Sequence, residues 1–241
     1  DREMPEEINR ILTDSISDLL LTPSLDGNEN LRNEGVEESR IEFVGNIMID
    51  SLFDALERVK STDSNPALRF GINRYCVVTL HRPSNVDIEE KVIQLVENLV
   101  ETSRKIPIIF PMHPRTRNNL EKFEKLKVLE QESSIHVVEP LGYMEFVSLV
   151  GGSTLVITDS GGLQEETTSL GIPCLTLREN TERPITITEG TNRLISDLST
   201  LQISVDDALG NQASLEPRKP KFWDGKTAQR IVDAIVNCIE R

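Results

Sequence analysis

Residues 155–166 read Leu-Val-Ile-Thr-Asp-Ser-Gly-Gly-Leu-Gln-Glu-Glu. The run begins with a short apolar segment of the kind that forms buried parallel strands. A serine and two glycines follow, and then a helical pattern with acids in its first turn, where the helix dipole favours them. This order favours a phosphate-binding turn, because glycines let the backbone approach an anion and the N–H groups of a helix start point at it. The simpler interpretation of an isolated Ser-Gly-Gly is a tight turn that Ser160 caps, without a ligand.

Similar transitions between strand and helix recur along the chain. The sequence predicts strands at residues 19–24, 41–46, 75–80, 106–112, 135–138 and 171–178, and helices at 28–34, 50–59, 89–104, 119–126, 145–150 and 224–241, with residues 81–87 as a loop. This alternation predicts an α/β fold with a Rossmann-like parallel sheet and right-handed crossovers. Ligands of such folds bind at the carboxyl ends of the strands. We therefore expect His81, His113, Gly142 and Ser160, which each follow a strand, to lie along one rim.

Composition limits the partners and the compartment. The 241 residues carry a net charge of −14, which argues against binding to nucleic acid or to anionic membranes. No apolar run approaches the ~18 residues that a membrane helix needs. The three cysteines are far apart, without a Cys-x-x-Cys pair or a zinc-ligand spacing, so we expect buried, reduced thiols in a cytoplasmic protein. No metal-ligand set is evident.

Polar side chains at three further places in the chain could serve either the fold or a ligand. Glu6 and Arg10 are four residues apart on a predicted helix, where a weak surface ion pair is the simplest interpretation. His81 ends a predicted strand, where it either caps the strand or serves a ligand. Arg183 lies in Thr-Glu-Arg-Pro, residues 181–184, after the second strand of the central run.

Together these motifs resemble the non-hydrolysing UDP-N-acetylglucosamine 2-epimerases. Pro-Glu-Glu-x-Asn-Arg, His-Arg, Ser-Gly-Gly and Thr-Glu-Arg-Pro stand in the family's order and spacing. The resemblance implies a glycosyltransferase-B type architecture of two Rossmann-like domains, with the chain matching its latter two-thirds. Residues 1–58 then end the first domain, 59–223 form the UDP-binding domain, and 224–241 form a helix that packs back toward the first. The chain begins at Asp1 without the family's opening glycine loop, so we expect a truncated form that binds UDP and is inactive by itself.

The resemblance also assigns roles to individual residues. It implies catalytic roles for Glu6, Arg10 and His81. In some bacterial members a second, regulatory UDP-N-acetylglucosamine binds near the positions of Arg82 and His113. The residues that it implies for UDP or the UDP-sugar share the predicted carboxyl rim: Ser160, Gly161 and Gly162 at the β-phosphate, Glu166 at the ribose, Phe146 at the uracil, Arg183 at the diphosphate or sugar, and His81. His136, inside a strand, is expected to be structural.

Four positions depart from the family's usual sequence. Ile47 replaces a threonine, and Ser84 stands where a glutamate is usual. Leu141 replaces a glutamine near the uracil, which leaves only a backbone contact there. Ile185 replaces a glutamate after Thr-Glu-Arg-Pro, so the substituents of the sugar remain open.

The family's reaction inverts C2 of UDP-N-acetylglucosamine by elimination of UDP to a glycal and re-addition. Because the C2 proton is only weakly acidic, the reaction needs a base and a firmly held leaving group. It implies no nicotinamide, no metal and no other cofactor, with UDP and a UDP-N-acetylhexosamine as ligands and a homodimer as the assembly.

Other functions remain open at this point. A glycosyltransferase of the same architecture also has a glycine turn and a ribose-binding glutamate, but it requires an acceptor. A non-catalytic binding module would hold the nucleotide-sugar without turnover. A hydrolysing epimerase would release free UDP.

Overall fold

The computed structural model describes residues 5–60, 65–210 and 219–240. In chain order the elements are α1 (Pro5–Ile16), β1 (Leu20–Thr22), α2 (Leu25–Asn33), β2 (Ile41–Phe43), α3 (Ile47–Lys60), β3 (Cys76–Thr79), α4 (Pro83–Val86), α5 (Glu89–Ser103), β4 (Ile108–Pro111), α6 (Pro114–Lys122), α7 (Leu126–Gln131), β5 (Ile135–Val138), α8 (Tyr143–Gly151), β6 (Leu155–Thr158), α9 (Gly161–Leu170), β7 (Cys174–Thr176), α10 (Ile185–Thr188), β8 (Asn192–Leu194), α11 (Leu201–Gly210) and α12 (Thr227–Ile239). Short 3-10 turns lie at Glu38–Arg40, Pro66–Phe70 and Leu198–Thr200.

The chain divides into two compact units. The first combines Asp1–Ser51 with Pro220–Arg241, and the second is Leu52–Lys219. These divisions fall a few residues before the expected ones at 58/59 and 223/224. The difference at the first division arises because α3 runs without a break through residue 58, so no linker separates the units there.

The first unit is built around two short parallel strands, with Leu20 opposite Ile41. Both residues pack with Leu31 of α2 in a small apolar core. Trp223 is buried in the same unit, and its indole N–H donates to the Pro23 carbonyl at 3.0 Å. Gly45 has φ +95°, a conformation that glycine adopts without strain, and a Cβ there would lie 2.3 Å from the Phe222 carbonyl oxygen.

The second unit is a six-stranded parallel sheet in the order β5-β4-β3-β6-β7-β8. This is the strand order of a Rossmann fold, whose switch point lies between β3 and β6. Alternate residues of each strand enter separate cores: Cys76 and Val78 pack with α5, whereas Val77 packs with residues of α8 and α9. Both faces of the sheet are therefore covered, as parallel sheets require. The α/β, Rossmann-like fold predicted from the sequence is confirmed.

Some predicted elements differ from the structure. The predicted loop at 81–87 contains the short helix α4, which starts at Pro83, a residue that suits a first helical position. The predicted helix at 119–126 is wrong: α6 begins five residues earlier at Pro114, and α7 is separate. The helix breaks near Glu124, whose φ is +54°, a left-handed conformation that no helix interior contains.

Two other features bear on partners and reactivity. In the described ranges, no helix has both the length and the apolar character that crossing a membrane would require. Cys76 and Cys174 are buried and free, as expected, whereas Cys238 is free but only partly buried, so the expectation of a buried thiol is wrong there. Burial raises the pKa of both buried thiols, so neither is a reactive thiolate at neutral pH.

Candidate functional site

The run at 155–166 folds as strand β6, a turn at Ser160, and helix α9. Ser160 has extended backbone angles, φ −76° and ψ 135°, at the helix N-cap. Its hydroxyl makes no capping hydrogen bond, and its backbone N–H donates to Thr158 Oγ1 at 3.0 Å. The interpretation of Ser160 as a side-chain helix cap is therefore wrong, and the hydroxyl borders the crevice described below.

Gly161 and Gly162 open α9 in different surroundings. A Cβ on Gly161 would lie 2.7 Å from Arg183 Nη1, so only glycine lets the guanidinium approach the helix start. A Cβ on Gly162 would meet no atom within 4 Å. Because Gly162 lines the crevice, its missing side chain leaves room for a ligand beside the first backbone N–H groups of the helix.

Arg183 is held beside this helix start by two carboxylates. Its Nε lies 3.0 Å from Glu165 Oε2, and its Nη1 lies 2.7 Å from Glu182 Oε1. Its backbone N–H donates to Thr181 Oγ1 at 3.1 Å. These contacts fix a positive charge over Gly161 in the absence of any ligand.

Gln164, which is fully buried, joins the Thr-Glu-Arg-Pro loop to α9 and β8. Its Oε1 accepts hydrogen bonds from Thr181 Oγ1 at 2.7 Å and from Asn192 Nδ2 at 3.0 Å. Its Nε2 donates to the Ser160 carbonyl at 3.2 Å. This network positions the loop that carries Arg183.

A crevice of about 360 Å³ opens at the carboxyl ends of β3, β4 and β6, at the switch point of the sheet. The predicted site residues that line it come from five separate segments: His81, His113, Phe146, Ser160, Gly162 and Glu166. Leu141 and Tyr143, the neighbours of Gly142, also line it. The predicted convergence at one rim is confirmed, because parallel strands bring their carboxyl ends together.

Two histidines face each other across part of the crevice. The ring centroids of His81 and His113 are 5.7 Å apart. His113 is the N-cap of α6, and its Nδ1 accepts a hydrogen bond from the backbone N–H of Arg115 at 3.1 Å. Nδ1 is thereby occupied as an acceptor, which leaves Nε2 as the ring nitrogen for another partner.

Glu166 is a partly buried carboxyl group in the crevice wall. Burial, together with the neighbouring charge of Glu165, raises the pKa of Glu166 to about 7. Burial and the charge of Glu166 also raise the pKa of Tyr143, whose ring is half exposed. An uncompensated carboxyl group in this setting is suited to accept hydrogen bonds from ligand hydroxyls, which would stabilise its ionised form.

Arg82 and His113 do not share a crevice. Arg82 lines a second one, of about 420 Å³, with Lys91 and Arg178 at the ends of β7 and β8. Its Nε donates to the Asp159 carbonyl at 2.8 Å. The two predicted regulatory residues thus line different crevices, and their regulatory role stays a prediction.

Glu6 and Arg10 lie on α1 in the first unit. In the described residues, Arg10 pairs with Glu7 at 2.8 Å, Asp14 at 2.7 Å and Glu34 at 2.7 Å rather than with Glu6. The Glu7 carboxylate is the largest of the causes that raise the pKa of Arg10. The ion pair suggested by the four-residue spacing is thus replaced by a cluster of three acids around one arginine.

Two buried polar residues near the crevice, Asp159 and Gln164, and the partly buried Asn85 were missed from the sequence. Asp159 directly follows the apolar strand β6, and a charged residue at such a buried strand end is a detectable signal. His136 stacks on Phe70 with ring centroids 4.3 Å apart, and burial lowers its pKa, which fits the structural role predicted for it. In the described ranges, no group of three His, Cys, Asp or Glu residues is arranged to hold a metal ion.

The sheet order and the crevice at its switch point define a doubly wound α/β protein with a site of the shape and position at which this fold class binds nucleotides. The sequence profile of the UDP-N-acetylglucosamine 2-epimerase family matches residues 1–236, and the chain belongs to that family.

Individual relatives agree with the profile. A UDP-N-acetylglucosamine 2-epimerase of Methanocaldococcus jannaschii is 40% identical over 240 residues, which cover 96% of this chain and 64% of that protein. A UDP-2,3-diacetamido-2,3-dideoxy-D-glucuronate 2-epimerase of Pseudomonas aeruginosa is 39% identical and covers 95% of this chain and 63% of its own length. The crystal structure of the M. jannaschii enzyme in complex with UDP-GlcNAc and UDP superposes with a TM-score of 0.84 at 38% identity, covering 98% of this chain and 66% of that one.

The match covers nearly all of this chain but only part of each relative. The chain spans just under two thirds of the length of the curated relatives that it matches, 64–66% for the first three.

Proposed function

We propose that this chain binds the UDP moiety of a UDP-N-acetylhexosamine and belongs to an enzyme that interconverts UDP-N-acetylglucosamine and its C2 epimer, UDP-N-acetylmannosamine. The observation that carries the proposal is the crevice at the switch point, where His81, Ser160, Gly162 and Glu166 meet. Membership of the epimerase family and the UDP complex of the M. jannaschii relative support it.

The crevice offers each part of UDP a suitable partner. The free N–H groups at the start of α9 and the Ser160 hydroxyl suit the β-phosphate, with His81 and Arg183 supplying positive charge. The Glu166 carboxylate suits the ribose hydroxyls. Phe146 and the backbone near Leu141 suit the uracil. The long axis of the nucleotide then runs from α8 to the helix start.

These groups would serve the elimination step by holding the leaving group. When the C1–O bond breaks, its electron pair goes to the β-phosphate oxygen, and the C2 proton goes to a base. Donors that are already in place around the phosphate stabilise this developing charge without reorganising, which is the largest contribution in many enzymes. Re-addition of UDP to the glycal and return of a proton to the opposite face complete the inversion.

The roles of Glu6 and Arg10 as catalytic groups, and the homodimer, form part of the same proposal. In a protein as long as its relatives, replacing Glu6 with Gln should abolish exchange of the C2 proton with solvent D2O, measured by NMR, without weakening UDP binding. Conversion without any acceptor would distinguish the epimerase from a glycosyltransferase. Free UDP that accumulates with turnover would identify a hydrolysing enzyme instead.

A 2-epimerase for a differently substituted UDP-sugar is the second candidate. The P. aeruginosa relative, named for a diacetamido-glucuronate, is nearly as similar to this chain as the M. jannaschii enzyme, at 39% against 40% identity. UDP binding would be the same for both candidates, so only competition between UDP-sugars separates them.

Calorimetric titration of this chain with UDP, UMP and UDP-N-acetylglucosamine tests the nucleotide site. We expect UDP to bind at least tenfold more tightly than UMP, because charge-assisted hydrogen bonds to a second phosphate contribute about 1.5–3 kcal/mol. The double substitution Ser160→Ala and Glu166→Ala should weaken UDP binding strongly. Glu97→Ala, on the exposed side of α5, is the control that should leave the affinity unchanged. Equal affinities in the double variant and the control would remove the assignment of this crevice.

A further inference from the structure

Asp159 is a fully buried carboxylate that directly follows β6. It accepts hydrogen bonds from the backbone N–H groups of His81 at 3.0 Å and of Arg82 at 2.8 Å. The side-chain amide of Asn85 donates to it at 3.1 Å. A buried ionised carboxylate is costly unless such donors surround it, so this arrangement keeps Asp159 charged.

The fourth contact of Asp159 is to the His81 ring. His81 Nδ1 lies 3.0 Å from Asp159 Oδ1, at the floor of the crevice. Nδ1 is therefore occupied, and Nε2 is the ring nitrogen left for a ligand. The ring itself remains 45% exposed, so that nitrogen is accessible.

Charges around the ring decide its protonation. The hydrogen bond to Asp159 is the main cause that raises the pKa of His81, while partial burial and the charge of Arg82 oppose it. Burial alone would raise the pKa of Asp159, but the hydrogen bonds from His81, Arg82 and Asn85 outweigh it and lower that pKa. The other polar side chains that line the crevice with His81 include His113, Tyr143 and Glu166, and Glu166 adds a carboxyl group to this wall.

We propose that Asp159 is a positioning residue that holds His81 as an imidazolium with its Nε2–H directed at the diphosphate of the ligand. The proposal rests on the function proposed above. It distinguishes the two histidines: Nδ1 of His81 faces a carboxylate, whereas Nδ1 of His113 accepts from the Arg115 backbone N–H. A charge already in place at His81 would offset the negative charge that gathers on the β-phosphate oxygen as the C1–O bond breaks.

The alternative is that Asp159 only holds the loop after β3 in place. Asp159→Asn separates the two roles, because its amide oxygen can still accept from the Arg82 N–H but carries no charge. NMR titration of the histidine Cε1–H signals, with His81 assigned through His81→Gln, gives the pKa of His81 without any ligand. We expect this pKa to lie above that of free histidine in the native chain and to fall to it or below in the Asn variant.

Ligand binding provides the second readout. UDP affinity at pH 7 should fall about tenfold in Asp159→Asn, the loss expected for one charge-assisted hydrogen bond. The native chain should lose UDP affinity as pH rises through the pKa of His81, and in the variant that loss should move to lower pH with the lowered His81 pKa. An unchanged His81 pKa and pH profile in a folded variant would overturn the proposal.

Two other results, a variant that does not fold and a native chain that binds no UDP, can also be interpreted. If the Asn variant does not fold, the ¹⁵N chemical shifts of His81 in the native chain still test the proposal, because they show whether Nδ1 carries a proton, as it must. A His81 ring that titrates at or below the pKa of free histidine overturns the proposal. If the native chain binds no UDP, the proposed function fails, whereas the ligand-free titration still tests the Asp159–His81 pair.

Discussion

At the residue scale, Gly161 and Gly162 show that adjacent glycines serve different purposes. The first allows Arg183 to approach the start of α9, and the second leaves space in the crevice. This difference allows a single-residue test of the site, because a methyl group at Gly162 would contact the bound ligand but no protein atom.

We expect Gly162→Ala to separate stability from binding. Alanine stabilises a helical position by up to about 1 kcal/mol relative to glycine, so the midpoint of urea unfolding should stay constant or rise. UDP affinity should fall at least tenfold in calorimetry, because the added Cβ occupies space beside the helix N–H groups. Gly161→Ala makes the same change one residue earlier, where the added Cβ would lie 2.7 Å from Arg183 Nη1, the end of a flexible side chain that can move aside. Glu97→Ala, at an exposed position of α5, is the control that should leave the UDP affinity unchanged. Undiminished UDP binding by Gly162→Ala would show that the phosphate lies elsewhere.

Glu166 gives a prediction about stability and pH. Its pKa is raised in the folded protein to about 7 from an unfolded value of 4.5, so the folded state retains a proton that the unfolded state loses between these values. The folded state is therefore destabilised progressively as pH rises from 4.5 to 7, and the effect is complete above pH 7. Because Gln does not titrate, the stability gained by Glu166→Gln should be about 2–3 kcal/mol larger at pH 8 than at pH 4.5.

Urea unfolding followed by circular dichroism at the two pH values measures this difference. Glu97→Gln, at an exposed position of α5, is the control and should show no such dependence. A constant difference between native chain and Glu166→Gln across the range would mean that the Glu166 carboxyl group is ionised normally in the folded state.

At the element scale, the sequence predicted the strands better than the connections. Strands β3 and β6 are almost entirely apolar, as buried parallel strands are, and their positions followed from this pattern. Helix α6 was placed too late because its first residues, after Pro114, are polar and resemble a loop. The short elements α10 and β8 were not predicted, since four and three residues contain too little of any period.

The same limit applies to the site. Residues that follow a strand could be predicted to meet at one rim, because that follows from the topology alone. Asp159 and Gln164 were missed because their importance depends on partners 77 and 17 residues away along the chain, Arg82 and Thr181. The pairing of Arg10 with Glu34 is likewise a contact between separate elements, which no spacing within α1 indicates.

At the scale of the whole molecule, the net charge does not decide whether a small anion can bind. The chain carries −14, yet the proposed phosphate position lies near a helix start, His81 and Arg183. Exposed charges more than about 10 Å away are largely screened at moderate salt, so the local donors decide binding. Composition alone therefore argued against nucleic acid as a partner but carried no information against a small anionic ligand.

The division into two units leads to a prediction about how a nucleotide stabilises the molecule. The single tryptophan, Trp223, is buried in the first unit, so its fluorescence reports unfolding there. Far-UV circular dichroism is dominated by the larger second unit, which contains the crevice. UDP at one hundred times its dissociation constant should stabilise that unit by about 2.7 kcal/mol and shift the dichroism midpoint in urea.

If the units unfold independently, the fluorescence midpoint should not move, and the Ser160→Ala, Glu166→Ala double variant should show neither shift. An equal shift of both midpoints in the native chain would instead mean that the two units unfold as one cooperative system, in which a ligand of the second unit also stabilises the Trp223 environment.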